Sequence, residues 1–128
     1  MRVLKTRWFA RWSRREGLRD AVLRAAVVEI RNGLVDATLG AGLVKKRIAR
    51  PGAGKSGGYR TLLAADFRDR WIFLYGFAKS ERENIDGKNL LDLRRLAQTY
   101  LSMNETEVSR AVDAGGLVEV SDGKPETS

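Results

Sequence analysis

The sequence predicts an α+β fold in which N-terminal helices pack on a small, mainly antiparallel twisted sheet and further helices follow. Two observations predict it. Apolar residues recur at helical spacing near both ends of the chain, whereas the middle, from residue 43 to 79, reads as strand-length runs rich in β-branched and aromatic residues. Those runs are separated only by a glycine-rich stretch and a short turn. So little connecting chain cannot form a parallel crossover, and neighbouring runs are expected to pair antiparallel. A length of 128 residues with 43% hydrophobic side chains suits one domain over residues 1–120, with 121–128 expected to be a disordered tail.

Each element has its own signal. Residues 2–5 (RVLK) read as a short strand. TRWFARWSRR then reads as a helix that places Trp8, Phe9 and Trp12 on one face, with Thr6 as its N-cap, and both tryptophans are expected to anchor the core. GLRDAVLRAAVVEIRNG is a longer helix, because Leu18, Val22, Ala25, Ala26 and Ile30 keep helical spacing and Asn32-Gly33 supplies a stop.

The next three runs form the meander: GLVKKRIAR, then GYRTLLAADF from the glycine pair to Asp66, then DRWIFLYGFAK after a turn at 67–69. DGKNLLDLRRLAQTYLSM returns to helix, with Leu90, Leu93, Ala97, Tyr100 and Leu101 on one face. Asn104 and Glu107 form a capping box for ETEVSRAVDAG, which Gly115-Gly116 ends before LVEV, a short terminal strand or docking segment.

Composition narrows the chemistry. With no cysteine and no histidine, the chain has no disulfide, no zinc site of the usual kind and no imidazole to relay a proton, so Lys, Arg, Tyr, Asp and Glu must carry any reaction. No cofactor is expected. No apolar run approaches the ~20 residues of a membrane span, the first residues do not resemble a signal peptide, and the cytoplasm is the expected compartment. The net charge of +8 is unevenly placed: residues 1–100 carry 22 basic against 10 acidic residues, and residues 101–128 carry 2 against 6. A body this basic suggests a polyanionic partner, most economically nucleic acid.

The stretch RIARPGAGKSGGYR (47–60) contains a loose match to the phosphate-binding P-loop. That loop works by passing directly into a helix, whose first amides face the phosphates. Here two glycines and a strand-like run follow Ser56, and the apolar run WIFLYGFAK ends in Lys79 rather than in an aspartate for magnesium. A nucleotide cofactor is therefore not expected. What remains is a basic hairpin carrying Lys45, Lys46, Arg47, Arg50, Lys55 and Arg60, with Lys79 ending the third strand nearby. Residues two apart share a strand face, so Lys45 and Arg47 project together and Lys46 points away. For Lys46 a charge that discourages edge-to-edge pairing is the competing role.

The order of VKKRIA, the basic turn SGGYR opening a strand, and FLYGFAKSE closing the hairpin, after two N-terminal helices, resembles the RelE/HigB-type toxins of bacterial toxin–antitoxin systems over roughly residues 1–120. The resemblance implies a metal-independent endoribonuclease that cuts messenger RNA on the ribosome and is neutralised by a cognate antitoxin protein. It also implies site residues: Arg60 at the scissile phosphate, Lys45 and Arg47 as the basic pair of the preceding strand, and Lys79 as the lysine ending the third. Arg47 stands where relatives with a lysine pair have the second lysine, and Ser80 where the best-known members have a further arginine.

In that scheme Arg60 stabilises charge, Arg47 assists, and Lys79 serves as acid or phosphate clamp. Lys45 is the candidate base, since cationic neighbours favour a neutral amine, and Lys55 is the alternative. Lys55, Arg50, Lys46 and Tyr59 are the candidate RNA contacts. A gyrase-inhibiting toxin of the same fold, or a non-catalytic nucleic-acid-binding module, are the competing functions.

Overall fold

The computed structural model describes residues 1–50, 54–66, 70–81 and 85–122, with the side chains of 54–56 outside that set. The chain runs β1 (Arg2–Thr6), α1 (Arg7–Arg15), α2 (Asp20–Arg31), β2 (Ala37–Thr38), β3 (Leu43–Arg50), β4 (Gly54–Asp66), β5 (Arg70–Ala78), α3 (Gly87–Ser102), α4 (Glu105–Asp113) and β6 (Leu117–Glu119). The strands form one six-stranded sheet in the order β2-β3-β4-β5-β1-β6. Every neighbouring pair is antiparallel except β1 and β5, which run parallel. The class is thus α+β, and a strand rather than a helix opens it.

Alternation along the strands gives the sheet two apolar faces. Phe9 and Trp12 of α1, and Leu23, Val27 and Ile30 of α2, pack with Val44, Tyr59, Leu63, Trp71 and Phe73 on one face. On the other, Ala97 of α3 and Val108 of α4 pack with Leu43, Leu62, Ala64, Ile72 and Phe77.

Local chemistry sets the boundaries. The Phe9 amide donates to Thr6 Oγ1 at 3.1 Å, which caps α1 immediately after β1. Asn104 and Glu107 form the expected reciprocal capping box of α4. Residues 117–119 do become a strand, and Val120 extends it by donating its amide to Val3 O at 2.9 Å.

Three expectations shift. The buried stripe of α2 is Leu23, Ala26, Val27 and Ile30, with Val22 and Ala25 exposed. Both stripes have helical period, and the sheet selected the phase with the larger apolar surface. Trp8, expected in the core, is 38% exposed. β4 begins at Gly54, not at the glycine pair, so GKS lies inside a strand. The helix that a P-loop requires is therefore not there. Gly58 explains why glycine stands within this strand: a Cβ there would lie 2.4 Å from Ile48 O of the paired strand. Of the tail expected at 121–128, residues 123–128 lie outside the described residues.

Candidate functional site

Two rows of side chains cross β3, β4 and β5 on the face that α3 partly covers. Registration sets them. Lys45 pairs with Leu62 and Leu62 with Tyr75, while Arg47 pairs with Arg60 and Arg60 with Phe77. Alternation keeps each row on the face of Leu62 and Phe77, both members of that apolar cluster. The strands thus bring Lys45, Arg47 and Arg60 together on one surface. Lys79 follows β5 by one residue, and its amide donates to Gly58 O at 3.1 Å, which fixes it at the same end of the sheet.

Arg60 is the unusual member. Only 5% exposed, its Nη1 is buried and has no hydrogen-bond partner. A buried guanidinium normally holds a carboxylate or a set of carbonyls, because desolvating its donors without replacing water costs free energy. Here its direct neighbour across the ladder is another cation, Arg47, and like charges placed opposite each other repel. The pair is a local concentration of positive charge with unused donor capacity.

Arg47 is 56% exposed at its side chain and is held by Asp36, whose Oδ1 lies 3.7 Å from Arg47 Nε. The other carboxylate oxygen of Asp36 accepts from the Arg47 backbone amide, so one residue both closes the sheet edge beyond β2 and orients the guanidinium. Asp36 carries no signal in the sequence that would have nominated it. Among the described residues, no ion pair engages Lys45, Arg60 or Lys79.

The remaining candidates lie elsewhere. Lys46 sits on the opposite face, 7% exposed, where Nζ donates to Leu34 O at 2.9 Å and lies 3.7 Å from Glu29. That placement fits a structural tie between β3 and the end of α2, and not a contact with whatever binds the Lys45 row. Tyr59 is buried on the α1 side, edge-on to Trp12 with centroids 5.4 Å apart, and its hydroxyl donates to Glu16 O at 3.3 Å. Burial, first, and the nearby Glu16 carboxylate push its hydroxyl above the ordinary tyrosine range. Arg50 is exposed, with its guanidinium carbon 5.8 Å from the Tyr59 ring centroid. The Lys55 side chain lies outside the described residues, and its backbone belongs to β4 rather than to a turn.

Chemically, the Lys45, Arg47 and Arg60 surface can receive a phosphodiester. Arg60 and Arg47 offer planar forks of donors to non-bridging oxygens, and Lys45 a compact amine beside them. Among the described residues no helix is long and apolar enough to cross a membrane. A family model described as the RelE toxin of the RelE/RelB toxin–antitoxin system matches residues 1–120. No curated protein matches the chain.

Proposed function

The chain belongs to the RelE toxin family and is thus the toxin of a toxin–antitoxin module, and from that premise we propose that it is an endoribonuclease that cuts messenger RNA in the ribosome and so stops translation. The observation that carries this reading is the buried, unpartnered Nη1 of Arg60, a residue that stands opposite a second arginine in the ladder. Such a pair is costly without an anion and complementary to a phosphorane with one.

The reaction needs no group that the chain lacks. The ribose 2′-oxygen attacks the adjacent phosphorus, the bond to the 5′-oxygen breaks, and a cyclic phosphate and a free 5′-hydroxyl result. Lys45 takes the 2′-hydroxyl proton, Arg60 and Arg47 hold the charge that builds on the non-bridging oxygens, and Lys79 delivers a proton to the leaving oxygen. A cation-lined face binds a strand firmly but orients it loosely, which is why a ribosome-held message is the proposed substrate. The compartment is then the cytoplasm, and the cognate antitoxin works by covering this face.

The test is transcript cleavage in a translating extract. Arg60→Ala is expected to lower the cleavage rate by about 10²–10³, the usual loss when one donor to a developing oxyanion is removed. Cleavage undiminished by that substitution would refute the assignment, and intact message with the unaltered protein would favour a binding-only toxin.

A further inference from the structure

Helix α1 has a feature that neither the fold nor the Arg60 chemistry uses. Its nine residues, RWFARWSRR, include Arg7, Arg11, Arg14 and Arg15, all exposed, and no acidic residue in the first turn. Among the described residues none of the four makes an ion pair. Arg7 and Arg11, and Arg11 and Arg15, stand four apart, so they are neighbours on one helical stripe and repel. The helix dipole accounts for a cation in the last turn but opposes one at Arg7. An ordinary solvated face mixes signs and pairs them, and this one does neither.

Beside that stripe stands Trp8. Its ring lies 4.6 Å from Tyr75 at an interplanar angle of 23°, and 6.1 Å from Trp12 at 10°. The indole is therefore held in place while 38% of the residue stays open to solvent. Tyr75 ends the row that starts at Lys45, so Trp8 continues the basic face past β5 and joins it to α1. Unpaired arginines interleaved with a fixed, accessible aromatic ring form a surface that suits single-stranded nucleic acid, whose bases stack while its phosphates pair with cations.

We propose that the outward face of α1 is a second contact for single-stranded RNA, in which Trp8 stacks on a nucleobase and Arg7, Arg11, Arg14 and Arg15 engage the phosphates of the strand extending from the Arg60 face. This rests on the RNA reading for its substrate but not for its chemistry. The rigid indole loses little freedom on binding, which favours it over a mobile side chain as the stacking partner.

The experiment measures binding of a short labelled single-stranded RNA by the full chain, with Arg60→Ala present throughout so that the RNA stays intact. Adding Trp8→Ala is expected to weaken binding by about tenfold, and Trp8→Phe to restore most of it. Removing one base from the RNA at the stacked position should weaken the Trp8 protein and leave the Trp8→Ala protein unchanged. Arg11→Gln with Arg15→Gln, at exposed positions where folding is not at issue, should lower the slope of log K against log salt by about 0.7 per arginine.

RNA binding unaffected by these substitutions overturns the proposal, as does an Arg60→Ala protein that binds no RNA at all. Loss of antitoxin binding with RNA binding intact overturns it too, and makes the face a protein interface. The parent reading is judged separately, by cleavage with Arg60→Ala as the sole change. That assignment can fail while α1 still binds RNA, and the reverse outcome isolates a failure of α1.

Discussion

In the proposed reaction Arg60 sets function against stability within one side chain. Its buried Nη1 has no hydrogen-bond partner and its ladder neighbour is Arg47, so the folded state holds a desolvated donor left unmade beside a second cation. Leaving such a donor unmade costs about 1–3 kcal/mol. Arg60→Met, which keeps much of the length and removes the charge, is therefore expected to raise the denaturation free energy by about that amount while lowering cleavage by the same ~10²–10³ as Arg60→Ala. Chemical denaturation of both proteins checks the first half, and a Met variant that is less stable than the parent would mean that the guanidinium contributes to the core. The sequence nominated Arg60, Lys45 and Arg47 by type and strand parity. The same parity turned Lys46 to the other face, but it could not reveal Asp36, whose role comes from a loop closing against the edge of β3, nor the partners that Lys46 and Tyr59 find near the ends of α2 and α1.

Elements meet at specific points, and two of these can be tested. α1 packs so closely on β5 that a Cβ at Gly76 would sit 2.3 Å from the Trp12 ring. Gly76→Ala must displace a buried indole, and a loss of about 1–3 kcal/mol is expected in denaturant melts. The α3–α4 junction is clipped by Arg70, which donates to Tyr100 O at 2.8 Å, Met103 O at 2.6 Å and Glu105 Oε1 at 2.9 Å. Arg2 bonds the other oxygen of Glu105, and also Glu119. Hydrogen bonds from Arg70 first, then from Arg2, hold the Glu105 carboxyl below its ordinary value. A carboxyl depressed on folding stabilises above the ordinary carboxylate range, and that contribution is lost as pH falls through the folded value. Melting temperature should accordingly fall more steeply below about pH 5 for the parent than for Glu105→Gln. Equal slopes would show that the clip is screened by water. Helices and strands were legible from periodicity and caps, because those signals are local. The start of β4 and the phase of α2 were not, since both depend on which surface the rest of the chain presents.

Across the whole molecule the charge separates by use. The acidic excess of residues 101–128 is partly engaged at home, Glu105 and Glu119 serving Arg2 and Arg70. Among the described residues, the arginines of α1 and Lys45 make no ion pair. A partner that silences this protein must meet that field, so antitoxin association is expected to slow as salt rises, measured by stopped flow across an ionic-strength series. A rate indifferent to salt would mean that apolar contacts alone direct the encounter.

β1 adds a consequence for the moment of synthesis. The first strand to be made lies between β5 and β6, with Thr6 bonded to Leu74, 68 positions on, and Arg2 to Glu119, 117 positions on. The β3–β4–β5 meander is built from contacts close in sequence and can form early, whereas β1 pairs with β5 only once residues 70–78 are made and with β6 only once residues 117–119 are. Late closure of this kind postpones the assembled six-stranded sheet until β6 has been made.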